Sequence, residues 1–78
     1  MKTMTCKDLG GPCDQAFHAN TGDEIIKAQD AHLKEKVAAG DQSHKEAAEE
    51  MQKRWKNPIG GMKWYMNTKK AFKALAED

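Results

Sequence analysis

The chain has 78 residues, of which 38% are hydrophobic and 32% are charged, and its mean hydropathy is -0.91. A chain of this length has a thin core, because it buries only about 60 to 65% of the surface that its unfolded form exposes. Its formal net charge of +1 argues against a uniformly basic nucleic-acid binder. The sequence shows neither an apolar run of membrane-spanning length nor a secretory signal. We therefore expect one cytoplasmic domain over residues 1–78, stabilised by a metal ion, a disulfide or a partner chain.

Residues 1–19 have the pattern of a short β-hairpin. Residues 2–6 and 15–19 are strand candidates, and residues 9–12, with the sequence LGGP, are typical of a turn between them. Cys6 and Cys13 lie on either side of this turn. The hairpin is therefore expected to hold two sulfur atoms close together.

The first helix is predicted over residues 21–39. Thr21 and Glu24 form a capping box at its start, and Gly40 supplies a left-handed stop at its end. Apolar residues recur at helical spacing within the segment, and His32 borders the face that they form. This helix is expected to pack across the hairpin.

Two more helices are predicted, over residues 43–56 and 58–76. Ser43 and Glu46 form a capping box for the second helix, while Asn57 caps the third and Pro58 takes its first position. The apolar face of the second helix is expected to contain Ala47, Ala48, Met51 and Trp55. That of the third is expected to contain Met62, Tyr65 or Met66, Phe72, and Leu75 or Ala76. The predicted fold class is α+β and mostly α, with a hairpin packed on a helix and two further helices completing a compact bundle.

The two cysteines and His32 have the chemistry of a zinc site. Zinc prefers thiolate sulfur and neutral imidazole nitrogen in a tetrahedral arrangement. Cys6 and Cys13 are separated by six residues, and His32 lies on the helix expected to cross them. The spacing is longer than the two to four residues between the paired ligands of ordinary zinc fingers. This departure counts against an ordinary zinc finger, and a zinc site formed by these three residues would still need a fourth ligand.

Several residues are candidates for the fourth ligand. Glu35, one turn beyond His32, offers a carboxylate, whereas a protonated Lys36 in the same turn would repel a cation. His18 follows Cys13 in the return strand, and His44 stands near the start of the second helix. Each histidine needs a favourable loop path to reach the site, and each is otherwise expected to face solvent.

The cysteines also admit explanations that involve no metal. A buried cysteine packs as a small hydrophobic residue, so both side chains can simply lie beneath the first helix. A disulfide between Cys6 and Cys13 is a third alternative, and it requires Cα atoms within about 7 Å of each other. A catalytic redox pair is disfavoured, because the C-x-x-C spacing typical of such pairs is absent.

Residues 1–14, with the sequence MKTMTCKDLGGPCD, and residues 17–19, with the sequence FHA, carry a family resemblance. They closely resemble a bacterial family of small uncharacterised proteins, a domain of unknown function described as predicted small metal-binding proteins. The resemblance is most specific over residues 1 to about 40 and continues more loosely towards the C-terminus. It implies a metal-binding role for the cysteine pair and His32.

In shorter members of that family, as the resemblance implies, two cysteines of the hairpin pair with two histidines of the helix, one turn apart. This chain has Lys36 where the second histidine is implied. Three outcomes stay open: a three-ligand site, recruitment of His44 or His18, or loss of metal binding.

The C-terminal part of the chain is basic. Residues 51–78 contain seven Lys and Arg and two acids, a charge of +5, whereas residues 1–50 carry six Lys and ten acids, a charge of -4. Lysines beside aromatic residues can bind nucleic acid, but no recognised motif accompanies them, and lysines also keep a small domain soluble.

Methionines of the last two helices suit copper(I), although their helical spacing favours core packing. The residues in question are Met51, Met62 and Met66.

The sequence favours a small cytoplasmic protein that binds zinc or is stabilised by it. The expected ligands are Cys6, Cys13 and His32, with His44 or His18 as the fourth. No nucleophile with its base, phosphate-binding loop or carboxylate pair indicates an enzyme. The first alternative is a metal-free module that contacts a protein partner or forms a homodimer through its third helix, and the second is a weak nucleic-acid binder.

Overall fold

The computed structural model describes residues 1–78, and it begins with a two-stranded antiparallel hairpin. Strand β1 (Lys2–Thr5) pairs with strand β2 (Ala16–Ala19), so that Lys2 lies opposite Ala19 and Thr5 opposite Ala16. A short 3-10 helix, Lys7–Leu9, occupies the start of the connection. The hairpin is therefore present as predicted, with each strand one residue shorter.

Three helices follow the hairpin and confirm the predicted fold class. They are α1 (Gly22–Ala38), α2 (Gln42–Lys56) and α3 (Pro58–Ala74). α1 packs on β2 and on both other helices, and α2 packs on α3. None of these helices combines the length and the apolar character that crossing a membrane requires.

Backbone hydrogen bonds close the hairpin beyond its strands. The N–H of Cys6 donates to the Gln15 carbonyl at 2.8 Å, and that of Lys7 donates to the Cys13 carbonyl at 2.9 Å. Gly10 has a φ of 94°, a left-handed conformation that glycine adopts without strain. These bonds fix both cysteines at the same end of the hairpin.

The turn from α1 to α2 ends the first helix as predicted. Gly40 has a φ of 88°, and its N–H donates to the carbonyl of Val37. The N–H of Asp41 donates to the carbonyl of Lys36, which completes a Schellman motif. The chain reverses within three residues, so α2 starts beside the last turns of α1.

The caps of the helices match the predictions with one exception. Thr21 accepts from the N–H of Glu24, and Asn57 accepts from the N–H groups of Ile59 and Gly60. α2, however, is capped by Asp41 instead of Ser43, and it begins one residue earlier than predicted. Asp41 directly follows the left-handed Gly40 and directly precedes α2, so its carboxylate can accept the N–H of His44. Ser43 cannot be the cap, because it already lies within the first turn of α2.

Two groups of side chains form the core. The larger lies between the hairpin, α1 and α3, and the smaller lies between the cysteine end of the hairpin, α1 and α2. The larger group consists of Met4, Leu9, Ala19, Ile25, Ile26 and Phe72. The smaller consists of Cys6, Leu33 and Met51.

The predicted apolar face of α3 is wrong in part. Phe72 is buried, but Met62 and Met66 are 63% and 55% exposed, and the buried positions beside Phe72 are Gly61 and Thr68. A Cβ atom on Gly61 would lie 2.7 Å from the Arg54 carbonyl oxygen, so α3 approaches α2 through this glycine. The close approach turns the two methionines outward.

Candidate metal centre

Four side chains converge where the hairpin meets α1 and α2. Cys6 follows β1, Cys13 precedes β2, His32 lies in α1, and His44 lies in the first turn of α2. One potential ligand atom from each residue lies within 4.8 Å of all the others. Three of the residues are buried, and Cys13 is partly exposed. We call these four residues the Cys–His cluster.

Three distances in the Cys–His cluster, those among Cys13, His32 and His44, are close to the distances between ligands of a tetrahedral ion, whereas all four ligand atoms together lie within 4.8 Å. The Nε2 atoms of His32 and His44 are 3.2 Å apart, and they lie 3.2 and 3.4 Å from Sγ of Cys13. Ligand atoms at ordinary zinc bond lengths of a tetrahedron are about 3.3 to 3.8 Å apart. Both imidazoles therefore direct the same nitrogen towards one point beside the sulfur. Two sulfurs and two imidazole nitrogens form a donor set that zinc favours.

The carboxylate of Asp41 lies beside His44. Its Oδ1 is 3.0 Å from Nδ1 of His44 and also accepts the backbone N–H of that residue at 3.0 Å. Nδ1 itself makes no hydrogen bond, so its contact with the carboxylate is one of charge and not of direction. The residue that caps α2 thus also places a negative charge beside its histidine, which favours a protonated ring when no metal is bound.

Gln29 contacts Cys6 from the interior of the molecule. Its Nε2 donates to Sγ of Cys6 at 3.4 Å, and both side chains are fully buried. The Gln29 Oε1 has no hydrogen-bond partner. An amide that donates to sulfur stabilises the thiolate form, which is the form that binds a metal.

Gly11 leaves the space in which Cys6 and Gln29 meet. A Cβ atom at this position would collide with Sγ of Cys6 and would lie 2.9 Å from Nε2 of Gln29. The Gly11 N–H donates to the Cys6 carbonyl at 2.7 Å, which draws the turn over the sulfur. The glycine is therefore required by close approach to the site.

An aromatic ring forms one wall of the Cys–His cluster. The ring of Phe17 meets His32 edge to face, with centroids 5.3 Å apart, and His32 meets His44 in the same way at 4.9 Å. Phe17 also packs against both groups of core residues. The imidazole of His32 is thereby held between an apolar wall and the second histidine.

Burial and hydrogen bonding move the pKa values of the two thiols in opposite directions. Burial raises the pKa of Cys6. Burial alone would also raise the pKa of Cys13, but hydrogen bonds from the Gln15 backbone and from His44 and Cys6 lower it overall. Cys13, the more exposed thiol, is therefore the one that ionises more readily.

The two histidines also differ. Burial, and then the nearby charge of His44, lowers the pKa of His32, which favours a neutral ring. Burial alone would lower the pKa of His44, but its contacts with Asp41 and Cys13 raise it overall. In the absence of a metal, a proton on His44 is thus stabilised by the acidic groups around it.

The structure distinguishes the candidate ligands that lie in the Cys–His cluster from those that lie outside it. Cys6, Cys13, His32 and His44 lie together, with both cysteines as free thiols. His18 lies outside this group, because its Nδ1 is 2.8 Å from Oγ1 of Thr3 and 3.4 Å from a carboxylate oxygen of Asp78. Glu35 and Lys36 are likewise exposed residues outside the Cys–His cluster. The path of the turn after α1 is what brings in His44 in place of the other candidates.

Two residues around the site were not found from the sequence. Gln29 lies three residues before His32 on α1, a spacing that places the two side chains on one helix face. That spacing was a usable signal for Gln29. The contact of Asp41 with His44 depends on Asp41 being the cap of α2. The sequence predicted Ser43 and Glu46 as the capping box instead, so Asp41 was not considered.

Comparison with known proteins assigns the chain to a family. A family model described as "Protein of unknown function (DUF1059)" matches residues 1–59, which is most of the 78-residue chain. The chain belongs to DUF1059. The DUF1059 match covers the hairpin, α1, α2 and the first two residues of α3, so it includes all four residues of the Cys–His cluster. No curated protein and no solved structure matches the chain.

Proposed function

We propose that this protein binds one zinc ion through Sγ of Cys6 and Cys13 and Nε2 of His32 and His44. The observation that carries the proposal is the convergence of these ligand atoms, all within 4.8 Å of one another. Two thiolates and two imidazoles suit zinc, whereas calcium and magnesium prefer oxygen ligands. The set of four protein ligands is typical of a structural site, because a catalytic site keeps one position open.

The proposed role of the ion is to link three elements that share little core. The four ligands come from the hairpin, α1 and α2, and the core beside them contains only Cys6, Leu33 and Met51. An ion bound in the folded state alone stabilises that state by mass action. We propose a metal-stabilised, non-enzymatic module in the cytoplasm, where reducing conditions keep both thiols free to bind metal.

Native mass spectrometry tests the proposal directly. We expect the protein, purified under reducing conditions without chelator, to take up one zinc ion when zinc is supplied. His44→Ala and Cys13→Ser each remove one ligand, so both variants are expected to lose the adduct under the conditions in which the parent retains it.

His18→Ala is the matched control, because it removes a histidine that lies outside the Cys–His cluster. This variant is expected to bind zinc as the parent does. Equal zinc retention by His44→Ala and His18→Ala would contradict the proposed ligand set. Only metal-free parent protein, with zinc supplied in excess, would contradict the proposed function.

A further inference from the structure

Two open cavities lie side by side along α3 and share Tyr65 and Met66, and we call them together the α3 groove. At its apolar end a cavity of about 540 Å³ is lined by Trp55, Pro58, Met62 and Met66 among others. Trp55 is 45% exposed, and both methionines are more than half exposed. Of the six large hydrophobic residues that are exposed, three line this groove, namely Trp55, Met62 and Met66.

The groove continues into a basic end. A second cavity, of about 440 Å³, shares Tyr65 and Met66 with the first. Its lining contains four lysines and no acidic residue. The lysines are Lys2, Lys69, Lys70 and Lys73.

Much of this positive charge has no partner within the molecule. Lys69 lies 3.9 Å from a carboxylate oxygen of Asp23, and Lys2 donates to the backbone carbonyl of Lys73. Lys70 and Lys73 take part in no salt bridge among those the structure forms. An occupant that carries negative charge beside an apolar surface therefore complements the groove.

The shape of the groove favours a helix over other occupants. Its lining side chains are too exposed to enclose most of a small molecule, as a ligand pocket does. α3 has 17 residues, a length of about 26 Å, over which a partner helix of several turns can lie. A nucleic acid would meet the lysines but leave Met62 and Trp55 uncovered. A second copy in the same groove would bring two basic α3 helices together.

We propose that this groove binds an amphipathic helix of a partner protein, with acidic residues flanking its apolar side chains. The apolar side chains of the partner would pack between Trp55 and the methionines, whose flexible thioethers adapt to different shapes. Its carboxylates would meet Lys70 and Lys73. This proposal is independent of the metal, because no residue of the Cys–His cluster lines the groove.

A labelled synthetic peptide of about 18 residues tests the proposal on the zinc-loaded, full-length protein. The peptide carries leucines at helical spacing and glutamates on both flanks. A second peptide has lysine in place of glutamate, and a third has the first composition in scrambled order. We expect fluorescence anisotropy to detect binding of the first peptide only, with backbone amide shifts confined to the lining of the groove: α3, the end of α2, Lys2 and residues 20–22.

Surface variants locate the contact. The double variants Met62→Gln/Met66→Gln and Lys70→Glu/Lys73→Glu are each expected to weaken binding at least tenfold, with circular dichroism unchanged because all four side chains are exposed. Lys45→Glu, which changes charge at an exposed site of α2 outside the groove, is the control and is expected to bind as the parent does.

Four results with the peptides, the variants and the protein alone would overturn the proposal, and a fifth concerns other ligands. They are no binding at millimolar peptide, equal binding of the scrambled or basic peptide, unchanged affinity of both double variants, and self-association of the protein through the same residues. Tighter binding of single-stranded DNA or anionic vesicles than of the acidic peptide, weakened by the same variants, would also overturn it in favour of that occupant.

Discussion

Gln29 is the residue whose environment says most about the Cys–His cluster. A fully buried amide that satisfies its N–H on a sulfur and leaves its Oε1 without a partner costs stability. A side chain of similar size without polar atoms would avoid that cost. What the glutamine supplies beyond packing is a hydrogen bond to Sγ of Cys6, which would stabilise the thiolate that the proposed zinc ion requires.

Replacing Gln29 is expected to separate metal affinity from stability. In Gln29→Leu the hydrogen bond to Cys6 is lost, so zinc affinity should fall about tenfold, the lower end of the effect expected for outer residues of a metal site. The metal-free variant should unfold at a urea concentration equal to or above that of the parent, because no buried oxygen is left unpaired. Competition with a zinc indicator and urea unfolding measure the two quantities. A fall in stability with unchanged zinc affinity would show that Gln29 acts only in packing.

Asp41 and His44 give the metal-free protein a defined response to pH. The pKa of His44 is raised by Asp41 and Cys13 against the effect of burial, and that of His32 is lowered by burial. Protonation of His44 therefore stabilises the metal-free fold at low pH, and this contribution is lost as the pH rises through the raised pKa. Protonation of His32 has the opposite effect and destabilises the metal-free fold, because its pKa is lowered. Zinc competes with the proton on His44, so its affinity should fall as the pH is lowered through the same range.

Titration of the imidazole resonances by NMR measures both pKa values in the metal-free protein. We expect His44 to titrate above the ordinary value of histidine, about 6.5, and His32 to titrate below it. Asp41→Asn keeps a good helix cap but removes the charge, so it should lower the pKa of His44. Asp30→Asn, on the exposed side of α1, is the control and should leave it unchanged. Equal shifts in the two variants would contradict the role given to Asp41.

The turn between α1 and α2 is the element that completes the site. Three residues separate the helices, and the left-handed Gly40 lets the chain reverse so that the first turn of α2 meets α1. Without this reversal His44 would not reach the nitrogen of His32. The Schellman motif is therefore a structural requirement of the Cys–His cluster.

Substitutions of Gly40 are expected to follow backbone preference alone. No atom lies within 4 Å of a Cβ placed there, so the cost of Gly40→Ala is conformational and should be about 1 kcal/mol. Gly40→Asn should cost less, because asparagine tolerates the left-handed region better. Urea unfolding of the metal-free parent, Gly40→Asn and Gly40→Ala measures the order of their free energies of unfolding. A Gly40→Ala variant as stable as the parent would contradict the importance of this turn.

The elements were predictable because their signals are local. Thr21, Gly40, Asn57 and Pro58 act within one helical turn, so the sequence alone located all three helices to within two residues at each end. The buried face of α3 was not predictable, because it depends on how closely Gly61 approaches Arg54 of another helix.

The candidate site was predictable to a similar extent. The hairpin and the period of α1 indicate that Cys6, Cys13 and His32 meet. The sequence could not show which candidate is the fourth ligand, because that depends on the direction of the chain after Gly40.

Across the whole molecule, the larger core group and the Cys–His cluster contact different halves of α1. Ile25 and Ile26 join the core shared with Phe72, whereas His32 and Leu33 lie beside the cysteines and α2. One helix connects the two halves. The proposed zinc ion, bound beside the C-terminal half, would therefore offset stability lost at the N-terminal half.

Phe72→Ala tests this connection. Phe72 is 4% exposed in the larger core group, so its truncation should cost about 3 kcal/mol or more and unfold much of the metal-free protein. Saturating zinc should raise the thermal midpoint of the variant and restore its helical circular dichroism. A variant whose midpoint does not move with zinc would show that the ion does not stabilise the fold.

X-ray absorption at the zinc edge of the zinc-loaded protein reports whether two thiolates and two imidazoles bind one ion. We expect two sulfur ligands at about 2.3 Å and two nitrogen ligands at about 2.0 Å. His18→Ala, which keeps all four proposed ligands, should give the same spectrum as the parent. A shell made only of nitrogen and oxygen, or one containing a single sulfur, would contradict the proposed ligand set.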